Sequence, residues 1–212
     1  MTTKAIVLLS GGQDSATCLA IAKKECDSVE AICFDYGQRH RIELDSAQRL
    51  AAVANVNCQK IDATVIASLT DSALTNITTS IQQEKEGLPN TFVPGRNALF
   101  LTLAAMVAVT RSAHIIYTGV CQTDFSGYPD CRESFIQSQQ HTLSLAMDQA
   151  LEIRTPLMYL TKAETVQKML ELDRFDWYAH THTCYEGMQP ACGQCPACKL
   201  RLKGFQEAGQ ID

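Results

Sequence analysis

The chain has 212 residues, of which 46% are hydrophobic, and 18 basic against 23 acidic side chains leave a net charge of −5 at pH 7. A chain of this length buries roughly 70% of the surface that its unfolded state exposes, so a core can form without disulfides or a metal. These figures predict one domain over residues 1–212. The acidic balance, without any basic run, excludes the electrostatic footprint of a nucleic-acid-binding protein.

No segment has the length and hydrophobicity of a membrane span. The longest apolar stretch, residues 98–109, is well under the ~18 residues that a span requires. The apolar run at residues 5–9 is too short for the core of a signal peptide. We therefore expect a cytoplasmic protein without a membrane partner that acts on a small molecule.

Short apolar runs alternate with helical patterns along the chain. The predicted strands are residues 4–10, 29–34, 57–61 and 113–118. The predicted helices are residues 14–24, 40–55, 97–111, 133–151 and 161–172, the last opened by a capping-box pattern. The polar segment 64–91 is assigned to an excursion over the sheet edge. This alternation predicts an α/β fold with a mostly parallel sheet that helices cover on both faces.

A glycine turn separates the first predicted strand from the first predicted helix. Residues 10–15 read Ser-Gly-Gly-Gln-Asp-Ser, and backbone N–H groups and the helix dipole converge there on any anion at the strand end. Ser10 and Ser15 can donate hydrogen bonds to phosphate oxygens, while Asp14 can cap the helix or help hold Mg²⁺. The simpler alternative is a tight turn with a polar cap. The nucleotide-binding patterns G-x-x-x-x-G-K-[ST] and G-x-G-x-x-G are absent.

Four of the ten cysteines cluster near the C-terminus with spacings of seven, two and two residues. They are Cys184, Cys192, Cys195 and Cys198. Structural zinc, an iron–sulfur cluster and disulfides compete as explanations. Disulfides are disfavoured in the cytosol, and the ferredoxin pattern would place a fourth cysteine three residues on, followed by proline. The spacing favours one structural Zn²⁺ held by a loop over residues 180–201. The nearby His180 and His182 are interpreted as polar surface residues.

Two further segments are predicted to meet the glycine turn at the carboxyl edge of the sheet, where open α/β sheets bind ligands. In residues 90–97 (NTFVPGRN), Arg96 could clamp a phosphate, although a surface arginine in a turn is a serious alternative. Residues 119–132 combine carboxylates, an aromatic pair and an arginine, which suits a pocket for a planar ring. Those side chains are Asp124, Asp130, Phe125, Tyr128 and Arg132.

The Ser-Gly-Gly-Gln-Asp-Ser turn resembles the loop of the PP-loop ATP pyrophosphatases, which cleave ATP between its α- and β-phosphates. The resemblance implies a five-stranded parallel sheet in the order 3-2-1-4-5, of the Rossmann-like adenine-nucleotide alpha-hydrolase type. It also implies an ATP site, with Mg²⁺ accompanying the nucleotide. The residues predicted for that site are Leu8, Leu9, Ser10, Gly11, Gly12, Gln13, Asp14, Ser15, Ala16, Thr17, Cys18 and Arg96.

Four longer segments are similar to the 7-cyano-7-deazaguanine synthase family of queuosine biosynthesis. They are residues 34–40 (FDYGQRH), 90–97, 119–132 and the C-terminal cysteine segment. The resemblance implies a homodimeric ligase that converts 7-carboxy-7-deazaguanine and ammonia to a nitrile at the expense of ATP. The carboxylate and then the amide would be activated as adenylates.

Roles in that chemistry are expectations from the same resemblance. Asp14, Asp124 and Asp130 are the candidate catalytic residues, and His40 is a further candidate base. Phe125, Tyr128, Asp130 and Arg132 are the candidate substrate-binding residues. Two alternatives stay open. One is a PP-loop tRNA thiolase, which would require a catalytic cysteine pair, and the other is a zinc-knuckle module that binds nucleic acid.

Overall fold

The computed structural model describes residues 2–76, 78–81, 87–122 and 127–212. Its centre is a five-stranded sheet in the order β3-β2-β1-β4-β5 with every neighbouring pair parallel. The strands are β1 (Lys4–Leu8), β2 (Ser28–Asp35), β3 (Cys58–Asp62), β4 (Ile115–Tyr117) and β5 (Glu152–Arg154). The α/β prediction and the implied strand order are confirmed.

Seven α-helices connect or follow these strands in the described part of the chain. They are α1 (Gln13–Glu25), α2 (Ile42–Ala54), α3 (Val65–Leu69), α4 (Arg96–Thr110), α5 (Glu133–Ala146), α6 (Lys162–Glu171) and α7 (Pro196–Glu207). Two 3₁₀ turns lie at Pro129–Cys131 and Phe175–His180. No helix in the described ranges combines the length and apolar character needed to cross a membrane.

The sheet divides the hydrophobic core into two layers because successive side chains of a strand point to opposite faces. In β1, Ala5 and Val7 belong to the layer that includes residues of α1, α2, α6 and α7, whereas Ile6 belongs to the layer that includes residues of α4 and α5. These central residues are 2%, 0% and 1% exposed. Their near-complete burial fixes the register of β1, and with it the position of the turn that follows.

Four elements of secondary structure differ from the predictions. The helix predicted over residues 133–151 ends at Ala146, where Asp148 takes a left-handed conformation, and β5 follows. β5 was missed because three residues with one buried side chain, Ile153, give no readable alternation. The helix α7 was also missed, and α3 lies inside the segment assigned to an excursion.

The turn after β1 packs directly on the first turn of α2. Gly11 has a φ of +86°, and a Cβ at this position would lie 2.3 Å from the Glu43 carbonyl oxygen and 2.8 Å from the Ala47 nitrogen. Only glycine fits both the left-handed conformation and this close approach. Gly11 thereby brings residues 10–15 and the start of α2 to the same edge of the sheet.

Candidate active site

A cleft of about 320 Å³ opens at the carboxyl edge of the sheet. Its walls come from the segments after β1, β2 and β4, from the first turns of α2, α4 and α6, and from the cysteine-rich C-terminal region. Parallel strands end at one edge, so these distant segments meet there. The cleft has two ends of different chemistry, which we call the anion end and the aromatic end.

The anion end is built by residues 10–15 at the N-terminus of α1. The Ser15 hydroxyl donates to the Gly12 carbonyl at 3.0 Å and lies 3.1 Å from the Ser10 hydroxyl. Gly119 closes the other side, since a Cβ there would lie 3.1 Å from the Asp14 carbonyl carbon. Backbone N–H groups, hydroxyls and the helix dipole are thus gathered at one point, as phosphate binding requires.

Asp14 forms an ion pair at the anion end. Its Oδ2 accepts a hydrogen bond from Lys162 Nζ at 2.6 Å, and the two side chains are 29% and 11% exposed. Its Oδ1 is buried and has no hydrogen-bond partner within the described ranges. Lys162 is the first residue of α6, whose predicted capping box between Thr161 and Glu164 is confirmed. The lysine ammonium lines the cleft, and its carboxylate partner keeps one oxygen without a hydrogen bond in the described residues.

The aromatic end surrounds Arg96 with tyrosine rings. The Arg96 Cζ lies 5.8 Å from the centroid of Tyr36 and 6.0 Å from that of Tyr128. Burial opposes the charge of the guanidinium, but Tyr36, Tyr128 and Asp130 outweigh it, so the pKa of Arg96 is raised. Burial also raises the pKa of Tyr36 to about 12. Arg96 therefore stays cationic and the tyrosine stays neutral around pH 7.

Stacked rings form the back of this end. Phe34 and Phe100 stack with centroids 4.1 Å apart, and Tyr36 meets Phe100 edge-on at 5.6 Å. Tyr185, beside the cysteine cluster, closes the side, and burial raises its pKa well above the usual value. The arrangement provides an apolar slot for a flat ring.

The predicted ATP residues divide into two groups. Those that line the cleft are Leu8, Leu9, Ser10, Gly12, Gln13, Asp14, Ser15 and Arg96. Gly11 packs on α2 as described, and Ala16, Thr17 and Cys18 are each 0% exposed within the core. These last residues lie behind the cleft wall, where they hold α1 in place.

Only some of the predicted substrate-binding and catalytic residues are found at the cleft. Tyr128 lines the cleft, and its hydroxyl lies 2.6 Å from that of Thr91. Asp130 is 7% exposed and its Oδ2 accepts a hydrogen bond from the Asn97 N–H at 3.2 Å, which fixes the start of α4. Arg132 is the N-cap residue of α5 and is absent from the cleft lining. Asp124 and Phe125 lie outside the described residues.

Two histidines lie in positions that differ from those expected from the sequence. His182, interpreted from the sequence as a surface residue, is 8% exposed and lines the cleft. Its backbone N–H donates to the Gly11 carbonyl at 2.9 Å, which joins the C-terminal region to the turn at residues 10–15. His40 packs against Gly187 rather than lining the cleft.

The lining residues that sequence reasoning missed include Glu43, Lys162 and Tyr185. Glu43 and Lys162 sit in the first turns of α2 and α6, where charged residues are ordinary. Their direction toward the cleft depends on how those helices pack. Tyr36 lies within the segment 34–40 that carried the family resemblance, so a signal for it was present.

The four C-terminal cysteines form a cluster that could hold a metal ion. Their sulfur atoms all lie within 4.8 Å of one another, and Cys192 Sγ is 3.8 Å from Cys198 Sγ. Four thiolates at ~2.3 Å from a tetrahedral zinc ion would have such separations. Backbone N–H groups of Cys195 and Gln194 lower the pKa of the Cys192 thiol to about 7, which favours the thiolate that a metal needs.

Comparison with known proteins agrees with this geometry. The family model described as "Queuosine biosynthesis protein QueC" matches residues 4–209. A protein of Chromobacterium violaceum named 7-cyano-7-deazaguanine synthase is 50% identical, covering 99% of this chain and 92% of its own length. A protein of the same name from Staphylococcus haemolyticus is 51% identical, and the match covers 96% of this chain and 92% of that protein.

A solved structure shows the same fold at low sequence identity. A 4-thiouridine synthetase–RNA complex with bound ATP is 16% identical with a TM-score of 0.58, covering 98% of this chain and 50% of that one. The strand order and this likeness define a Rossmann-like α/β fold with a five-stranded parallel sheet. Within that class, the chain belongs to the QueC family of queuosine biosynthesis proteins.

Proposed function

We propose that this protein is an ATP-dependent ligase that converts 7-carboxy-7-deazaguanine and ammonia to 7-cyano-7-deazaguanine. The observation that carries the proposal is a cleft in which an anion end lies beside an aromatic end that holds Arg96. That cleft can hold a nucleotide phosphate chain next to a flat, carboxylated ring. Relatives at 50% and 51% identity bear the name of this synthase, which favours it over a tRNA thiolase or a nucleic-acid-binding module.

Two activations account for the conversion of a carboxylate to a nitrile. The substrate carboxylate attacks the α-phosphate of ATP, pyrophosphate leaves, and an acyl-adenylate forms. Ammonia then displaces AMP to give the amide. A second ATP adenylates the amide oxygen, and loss of AMP and protons leaves the carbon–nitrogen triple bond. Each oxygen of the carboxylate thus departs on AMP, a far better leaving group than oxide.

The residues of the cleft supply alignment and charge. The backbone N–H groups of residues 10–15 and the Lys162 ammonium would hold the phosphates, while Arg96 would neutralise the carboxylate or α-phosphate. The free Oδ1 of Asp14 suits Mg²⁺, which when bound with ATP lowers the charge of the phosphate chain. Asp14, Asp124 and Asp130 remain our candidates for catalytic carboxylates.

The cysteine cluster would bind one structural zinc ion per chain. Four thiolates complete a tetrahedral shell, so water and substrate have no open position on the metal. Such a thiolate site requires a reducing compartment, which supports a cytoplasmic location. The family resemblance supports a homodimer, with residues 1–212 acting as one PP-loop unit.

A direct assay tests the proposal. Purified protein with 7-carboxy-7-deazaguanine, ammonium, Mg²⁺ and ATP should release the nitrile, detected by mass spectrometry, and omission of ATP should abolish it. A gel shift with tRNA under the same conditions tests the rival classes. The proposal is wrong if no nitrile forms, and tRNA binding without nitrile formation would favour a tRNA-modifying enzyme.

A further inference from the structure

The carboxylate of Glu43 faces the cleft without a partner of its own. Glu43 lies in the first turn of α2, is half-buried and lines the cleft. Across the ranges that the structure describes, its side chain makes neither a hydrogen bond nor an ion pair, whereas Asp14 across the cleft is paired with Lys162. A half-buried carboxylate without donors is costly, so a ligand that brings donors would be favoured.

The surroundings of Glu43 belong to the aromatic end. Burial raises the pKa of Glu43 to about 7, and the Arg96 charge opposes the rise. The same carboxylate raises the pKa values of Tyr36 and Tyr185, so it lies within electrostatic reach of both rings. In its ionised form, Glu43 is an acceptor-only group at the border of a slot for a flat ring.

Hydrogen-bonding chemistry limits what can satisfy this acceptor. A carboxylate has two oxygens and accepts two parallel hydrogen bonds best from two adjacent N–H groups. The 2-amino-4-oxo edge of a guanine-type ring presents such a pair, N1–H and the 2-amino group. An adenine-type edge presents one donor beside a ring-nitrogen lone pair, which would repel a carboxylate oxygen.

We propose that Glu43 selects the substrate by accepting hydrogen bonds from N1–H and the 2-amino group of the 7-deazaguanine ring. This inference rests on the proposed function. The carboxyl group of that substrate sits on the five-membered ring, away from the 2-amino group, so an edge held by Glu43 leaves the carboxyl group free to face Arg96 and the phosphates. Glu43 is a specificity residue that does not touch the reacting carbon.

The test compares Glu43→Gln with the wild type on two substrates, 7-carboxy-7-deazaguanine and its analogue without the 2-amino group. Glutamine keeps the size of the side chain but replaces one acceptor by a donor. We expect Glu43→Gln to lower kcat/KM for the natural substrate by about 100-fold, mostly through KM. The analogue should lose far less, because one of the two bonds is already gone. Asp45→Asn, on an exposed residue of the same helical turn, should match the wild type.

The outcomes separate this inference from the proposed function. Equal kcat/KM for Glu43→Gln and the wild type, or an equal loss on both substrates, would overturn the role of Glu43 while nitrile formation stands. If the wild type forms no nitrile, the proposed function fails instead. Calorimetry in the absence of ATP then tests the role of Glu43 separately, by comparing the affinity of the wild type and of Glu43→Gln for 7-carboxy-7-deazaguanine. Unchanged affinity in Glu43→Gln contradicts the inference, and weakened affinity supports it.

Discussion

Replacing Asp14 with asparagine should lower kcat/KM for ATP by roughly 100-fold or more while the protein stays folded. Asparagine has the same shape, but it removes the charge that pairs with Lys162 at 2.6 Å and the oxygen that is free to bind Mg²⁺. The two side chains are mostly buried, at 29% and 11% exposed, so loss of the ion pair should cost about 1–3 kcal/mol of stability. Asparagine keeps the shape of the side chain, so the protein should still fold and the loss of activity should persist at temperatures well below unfolding.

The measurement is steady-state kinetics with varied ATP and Mg²⁺, together with a thermal melt of each protein. Ser15→Ala, which removes a hydroxyl at the same helix terminus, should also be impaired. Asp148→Asn is the control for charge, because that carboxylate is exposed and the left-handed conformation of Asp148 also suits asparagine. Near-normal turnover of both cleft variants would show that residues 10–15 do not hold the phosphates.

Replacing Cys195 with serine should abolish zinc binding and lower both stability and activity. Cys195 is the N-cap residue of α7, and its sulfur accepts a hydrogen bond from the Cys198 N–H. Serine is itself a good N-cap, so the helix keeps its cap and the change removes chiefly a metal ligand. Structural zinc sites contribute on the order of 10 kcal/mol to folding. Tyr185 and Arg201 flank the cluster and line the cleft, so activity should fall with the metal.

Elemental analysis of protein purified without oxygen measures how much zinc each variant binds per chain. We expect one zinc per chain in the wild type and a loss of most zinc in Cys195→Ser. Cys26→Ser, on a half-buried thiol outside the cluster, should retain its zinc. Iron with acid-labile sulfide in the wild type would contradict the zinc assignment. A full zinc content in Cys195→Ser would show that this thiolate is not a ligand.

The features that sequence reasoning predicted are those fixed by neighbouring residues. A short apolar strand, two glycines and a helix with apolar residues at helical spacing determine the turn at residues 10–15, because each element has its own local signal. The same holds for the cysteine cluster, whose close spacing brings four sulfur atoms within 4.8 Å. The turn and the cysteine cluster can therefore both be located from the local sequence alone.

The features that were missed depend on contacts between distant parts of the chain. Lys162 reaches Asp14 across 148 positions of sequence, and nothing local distinguishes it from a surface lysine at a helix start. Glu43 enters the cleft because Gly11 packs on the first turn of α2. β5 is stabilised by parallel pairing with β4 rather than by its own pattern. Such packing has no local counterpart in the sequence.

In the proposed reaction, one cleft activates the same carbon twice by adenylation. The most direct test labels both carboxylate oxygens of 7-carboxy-7-deazaguanine with a heavy oxygen isotope and follows the label by mass spectrometry. We predict two AMP molecules for each nitrile, each with one labelled oxygen, and unlabelled pyrophosphate. Release of ADP, or labelled inorganic phosphate without labelled AMP, would contradict adenylation and with it the proposed use of the cleft.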